Sequence, residues 1–97
     1  MTAAPTLDAG LLLAQIRALG SIGADEAAGG RTRIALTDAD KAGRDQLVRW
    51  MRELDLGVRI DRVGNVFGIL PAATPAGDAA PLMIGSHIDT VRNAGAL

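Results

Sequence analysis

The sequence holds no cysteine, no tyrosine, one tryptophan, one phenylalanine and one histidine. Without cysteine there is no disulfide framework, no thiolate metal site and no thiol nucleophile. With His87 as the sole histidine, these residues alone cannot build a multi-histidine metal centre. Trp50 and Phe67 are too few for a base-stacking platform. Neither sign of charge dominates: 10 Lys+Arg face 11 Asp+Glu, for a net charge of −1. That balance argues against nucleic acid as a partner, because phosphate binding needs clustered Lys and Arg. Long apolar runs are missing too. The run Leu11 to Ala14 is stopped by Gln15 and Arg17, far short of the ~20 residues a spanning helix needs. The start, Met1-Thr2-Ala3-Ala4-Pro5, lacks the basic region of a signal peptide. No membrane partner is expected, and the expected location is cytoplasmic.

What is there is an ordinary globular composition: 97 residues, 48% of them hydrophobic. This argues against intrinsic disorder. The length supports one small domain with a thin core. Residues 1–6 are expected to be a flexible tail, and residues 7–97 one folded unit.

A first helix follows Thr6, its expected N-cap, with Asp8 in the first turn. Leu12, Ile16 and Leu19 share one face, and Gly20 is a natural stop. Residues 20–36 read as a connector. Its Gly29-Gly30 pair is not followed by the Lys-Ser/Thr of a phosphate cradle, so it reads as a loop. Ile34-Ala35-Leu36 reads as a short extended piece. Thr37 opens the clearest helix, with Asp40 at the capping-box position. Leu47, Trp50, Met51 and Leu54 form its apolar stripe, a packing face rather than a cofactor site. Asp40 with Arg44 and Arg49 with Glu53 are spaced as i,i+4 ion pairs. The helix ends at Asp55 to Gly57. Val58 to Asp61 and Val66 to Leu70 then read as a β-hairpin around the Gly64-Asn65 turn. Pro71 to Pro81 reads as a loop, and the continuous apolar run Leu82-Met83-Ile84-Gly85 as a strand buried on both faces.

That last strand leads into Ser86-His87-Ile88-Asp89-Thr90, the one segment with chemical promise. On extended backbone His87 and Asp89 face the same side, at the strand end where ligands of open α/β sheets sit. Either both bind one metal, or Asp89 accepts a hydrogen bond from one ring nitrogen of His87 while the other binds the metal. The second arrangement is preferred, because it fixes tautomer and ring orientation. A plain structural His–Asp pair is the competing interpretation. A Ser-His-Asp triad is discounted, since Ser86 points to the opposite face.

Gly85-Ser86-His87-Ile88-Asp89-Thr90-Val91 resembles the first metal-binding motif of the aminoacylase/carboxypeptidase-type zinc hydrolases. The nearest branch holds the N-carbamoyl-L-amino-acid hydrolases, β-ureidopropionases and allantoate amidohydrolases. The likeness extends upstream. Gly30-Arg31-Thr32-Arg33-Ile34-Ala35-Leu36-Thr37 is similar to that branch's Gly-x-Thr-Arg-Leu segment before a capped helix. Arg49-Trp50-Met51-Arg52-Glu53 is similar to its helix end, and Asp61 to Gly68 to its Asp-x-x-Gly-Asn hairpin. Asn93-Ala94-Gly95 resembles the Asn-Gly-Gly that follows the histidine motif. Asp55 stands where the branch usually has glycine, a mild cost because Asp tolerates left-handed backbone.

The resemblance implies an α/β fold. It is that of the N-terminal part of a phosphorylase/hydrolase-like zinc-exopeptidase catalytic domain, truncated: two helices, a hairpin and a buried strand. It implies a centre of two zinc or manganese ions, with His87 as a ligand of one and Asp89 as the carboxylate orienting it. It implies hydrolysis of a linear non-peptide C–N bond in a carbamoyl or ureido small molecule. In the full-length enzyme it implies a homodimer. The bridging aspartate, the Glu-Glu pair and the later histidines are absent, and neither Glu26 nor Glu53 has a matching context. The chain alone is therefore expected to be inactive and to fold poorly. The alternative is a small stand-alone α/β binding or interaction module with a structural His–Asp pair.

Overall fold

The computed structural model describes residues 4–72 and 80–96. It is α/β, with element order α1 (Ala9–Ser21), α2 (Asp38–Glu53), β1 (Gly57–Ile60) and β2 (Val66–Ile69). Residues 4–8 precede α1 as irregular, exposed chain. The expected tail also includes residues 1–3, which lie outside the described residues, as do 73–79 of the expected Pro71 to Pro81 loop.

Helix α1 is capped by Asp8 rather than Thr6: the Asp8 carboxylate accepts from Leu11 N at 3.0 Å. Asp competes well for this position because its charge also suits the positive helix end. Gly20 does not stop the helix but lies inside it, buried. The Arg31 side chain packs over it, with Nε 3.6 Å from where a Cβ would sit, an ordinary contact. The helix ends one residue later, and the Ile22 amide closes it by donating to Leu19 O.

Helix α2 starts as expected. Thr37 Oγ1 accepts from Asp40 N at 3.3 Å. Asp40 does not close a capping box onto Thr37, nor pair with Arg44. It is buried and accepts from Leu36 N at 3.1 Å. The residues 34–36 that precede it form a turn rather than an extended piece, with Leu36 at φ 70. On the exposed face the ion pair is Lys41–Asp45 at 2.7 Å, and Arg49 donates to Gln46 instead of meeting Glu53.

The C-terminus of α2 is a Schellman closure. Asp55 N donates to Arg52 O and Leu56 N to Met51 O, both at 3.0 Å. The geometry requires a left-handed residue after the cap, and Asp55 supplies it at φ 57. The chain then turns straight into β1. The strands pair antiparallel in the register Gly57↔Ile69, Val58↔Gly68, Arg59↔Phe67 and Ile60↔Val66. One face of the hairpin lies on α2, where Met51 and Leu56 crowd the backbone of Gly68. Asp61 ties the connecting loop, accepting from Val63 N, Asn65 N and Asn65 Nδ2 at 2.8–3.0 Å.

The buried third strand expected at Leu82 to Gly85 is not formed. Those residues carry no strand pairing, and Leu82 is 93% and Ile84 88% exposed. A strand buried on both faces needs layers packed on each side of it, and among the described residues nothing covers this run. The core is correspondingly polar. Among the described residues no hydrophobic residue is buried, whereas Arg33 and Asp40 are. The radius of gyration is 16.1 Å, against about 12.5 Å for a compact domain of this length. No helix among the described residues is long and apolar enough to cross a membrane.

Candidate functional site

His87 and Asp89 lie in an irregular segment, so something other than a sheet must hold them. The holder is the stretch Arg31–Arg33. Arg31 N donates to Ala94 O at 3.1 Å and Ala94 N returns to Arg31 O at 2.8 Å. Between them Asn93 N donates to Thr32 Oγ1 at 3.0 Å. Thr90 N then donates to Arg33 O at 2.8 Å, while Arg33 N donates to Thr90 Oγ1 at 2.7 Å. Asn93 takes φ 50 to let the chain bulge between these contacts. The approach is close: a Cβ on Gly30 would sit 2.8 Å from Asn93 Cα.

The Arg33 side chain completes the clamp. Its Nε donates to Ile88 O at 2.9 Å, and its Nη1 to Leu19 O at 2.9 Å and Ile22 O at 2.7 Å. One guanidinium thus joins the end of α1 to the peptide between His87 and Asp89. Arg33 is 4% exposed. That burial pushes its pKa below the ordinary arginine value, helped by the nearby Arg31 charge and opposed by Asp40 and Asp89. Gly43 of α2 makes room for its stem, since a Cβ there would meet Arg33 Cδ at 2.9 Å.

Held this way, the two site residues meet as the i,i+2 spacing anticipates. His87 Nδ1 lies 3.0 Å from Asp89 O and 3.2 Å from Asp89 Oδ1. As an N–H, Nδ1 donates to both acceptors and leaves the Nε2 lone pair free. The His87 side chain is 82% exposed, so Nε2 is open to an incoming ligand. No hydrogen bond among the described residues joins Ser86 to His87. The pair borders a cavity of about 260 Å³. Its other walls come from α2 through Asp40 and Arg44, and from the hairpin loop through Gly64 and Asn65. A second hollow of about 380 Å³ on the far side of Arg44 does not reach His87.

A metal-ligating imidazole needs a bare nitrogen on one side and an anchored N–H on the other. His87 and Asp89 fit that requirement for one ligand position. The described residues contain no group of three or more His, Asp, Glu or Cys side chains that could enclose an ion.

Arg31, Thr32, Arg33 and Thr90 carry no recognisable chemistry in the sequence. The Gly-Gly pair before them was the available signal, because adjacent glycines mark a close backbone approach as readily as a loop.

No protein-family model matches the chain. Individual relatives do. It is 44% identical over 63 residues to an N-carbamoyl-L-amino-acid amidohydrolase of Rhizobium meliloti, covering 65% of this chain and 15% of that protein. It is 41% identical over 80 residues to an N-carbamoyl-L-amino-acid amidohydrolase of Pseudomonas sp. (strain NS671), covering 82% of this chain and 19% of that one. In structure it is similar to a hydantoinase/carbamoylase family amidase from Burkholderia ambifaria. The TM-score is 0.83 at 39% identity, over 92% of this chain and 21% of the other. The chain thus spans about a fifth or less of the length of the relatives it matches.

Proposed function

Because this chain belongs to the hydantoinase/carbamoylase group of amidohydrolases, we propose that the protein carrying it hydrolyses a linear, non-peptide C–N bond in an N-carbamoyl amino acid, ureidopropionate or allantoate. The observation that carries the reading is a coincidence of place. The similarity runs along 92% of the chain, and within it stands a histidine with one nitrogen anchored by a carboxylate and the other open.

The reaction in this reading is metal-dependent, with two zinc or manganese ions in the complete site. Bound metal supplies Lewis acidity to the water and to the substrate carbonyl. His87 would hold one ion through Nε2. Asp89 accepts the Nδ1 proton, keeps the ring in the productive tautomer and raises its basicity. Arg44 and Asn65 line the cavity beside this pair. The chain supplies one ligand and its orienter, so by itself it is inactive. The full-length protein in this reading is a cytoplasmic homodimer.

Two measurements test the proposal. First, residues of this chain replace the matching segment of the Pseudomonas N-carbamoyl-L-amino-acid amidohydrolase, and release of free amino acid is assayed. The expected result is an active chimera that His87→Ala silences. Activity that survives His87→Ala overturns the role of His87. Second, Mn²⁺ is titrated into the isolated chain and followed by NMR. The His87 ring signals are expected to broaden ahead of those of other side chains, and uniform broadening counts against the site.

A further inference from the structure

The contacts of Arg33 point past a scaffolding role, and we infer that Arg33 is a positioning residue that sets the tautomer of His87. The inference rests on the proposed role of His87 as a ligand, but it is tested separately.

The argument starts from what the imidazole needs. Nδ1 must carry the proton if Nε2 is to offer a lone pair, and an acceptor facing Nδ1 favours that form. Here the acceptors are the main-chain oxygen and one carboxylate oxygen of Asp89, at 3.0 and 3.2 Å. Both belong to one residue, so a rotation of the Asp89 backbone removes both together. No secondary structure opposes that rotation. Arg33 does. It fixes the peptide before Asp89 through Nε to Ile88 O, and the residue after it through its main-chain contacts with Thr90. Asp89 is pinned on both flanks by one arginine.

The anchor itself is well fixed. Its Nη1 is bonded to Leu19 O and Ile22 O at the end of α1. Its burial makes displacement costly, because a guanidinium drawn out of these carbonyls leaves them unsatisfied. A lysine cannot replace it, since one ammonium cannot span acceptors on two separate segments in the planar fork geometry of arginine.

The decisive readout is the tautomer of His87, measured from ring nitrogen shifts at pH 8.5. The chain is expected to show mainly Nδ1–H. In Arg33→Lys the ratio of Nδ1–H to Nε2–H should fall roughly fivefold, about what one ordinary hydrogen bond supports. Arg33 is central enough that this variant can fail to fold. Thr90→Val therefore serves as the second variant: it removes the acceptor for Arg33 N, keeps the guanidinium, and should shift the ratio in the same direction. Lys41→Ala is the control, because it breaks the exposed Lys41–Asp45 pair, lines no wall of the His87 cavity and should leave the ratio unchanged. An Arg33→Lys or Thr90→Val chain that is folded and keeps the original ratio overturns the inference, as does an equal shift in Lys41→Ala. If the ratio moves as expected but Mn²⁺ does not single out His87, the positioning role stands and the metal reading fails.

Discussion

Gly29 and Gly30 are neighbours, yet the structure assigns them different costs on substitution by alanine. Gly29 sits at φ 81 with nothing within 4 Å of an added Cβ. Its alanine variant bears only the left-handed backbone penalty, about 1 kcal/mol. Gly30 does not have positive φ, but its added Cβ would lie 2.8, 2.9 and 3.0 Å from Asn93 Cα, C and O. Those are backbone atoms and cannot swing aside. The segment must back away, and the bonds it makes with Arg31 and Thr32 lengthen together. At roughly 1 kcal/mol for each hydrogen bond, losing the pair to Arg31 and the one to Thr32 costs about 3 kcal/mol. Urea unfolding followed by Trp50 fluorescence measures both variants in one assay. The expected order is a small loss for Gly29→Ala and a loss two to three times larger for Gly30→Ala. Amide shifts in the second variant should concentrate at Thr32, Asn93 and Ala94. Equal losses, or a larger loss for Gly29→Ala, would refute the docking of residues 30–33 against 93–94 that holds the site.

Other outcomes follow from the same structure. Asp55→Gly should stabilise the chain by about 0.5–1 kcal/mol in the same urea assay, because glycine takes the left-handed position of the Schellman closure without strain. Thr37→Ala should cost about 1 kcal/mol through loss of the α2 N-cap, seen as reduced helicity by circular dichroism. The bonds from Asn65 hold the Asp61 carboxyl below the usual carboxylate range, with Val63 and Gly64 amides adding to the effect. A depressed folded pKa contributes stability that is present above the unfolded value near 4 and lost as pH falls through the lower folded one. Hydrogen exchange at the Val63 and Asn65 amides should therefore gain protection with rising pH across that window, relative to the intrinsic exchange rate, and Asp61→Asn should remove that dependence.

The parts of the fold that were legible in the sequence are those set by local signals. Helix α2 announces itself through Thr37 and the stripe from Leu47 to Trp50 and Met51. The hairpin does so through alternating residues around Gly64. The meeting of His87 with Asp89 follows from their spacing. What failed to read out was long-range. The run Leu82 to Ile84 looks like a buried strand because its composition is that of one, but composition cannot say where its pairing partners are. Arg33 falls in the connector and in the segment similar to the Gly-x-Thr-Arg-Leu motif, but nothing near it in sequence marks the carbonyls of Leu19, Ile22 and Ile88 as its partners. Asp40 carries the right local signal for a capping box, but its carboxylate accepts from Leu36 N, one residue before the cap Thr37.

The two sides of the candidate site are held unequally, and this bears on how such a site works. Downstream of His87 the chain is fixed at Ile88, Thr90, Asn93 and Ala94 by directional bonds to Arg31, Thr32 and Arg33. Upstream, residues 80–86 make no main-chain hydrogen bond to other described residues, and Leu82, Met83 and Ile84 are exposed. A histidine anchored on one side only keeps its ring aimed by the Asp89 contact but moves with the free upstream chain. Covering the apolar run with further strands would supply the second anchor and bury side chains worth about 1.5–3 kcal/mol each. Metal affinity at His87 should therefore be weak in this chain and rise where that run is covered, with no change in the ligand itself. The chimera sets an upper bound on this effect, because it adds further ligands together with the cover. His87 in the isolated chain and in the grafted protein has the same neighbours from Arg31 to Arg33, so a difference in Mn²⁺ affinity between them measures what the upstream anchor and the remaining ligands add. Equal affinity in the two would mean that the Arg33 clamp and Asp89 already supply all the preorganisation the site obtains.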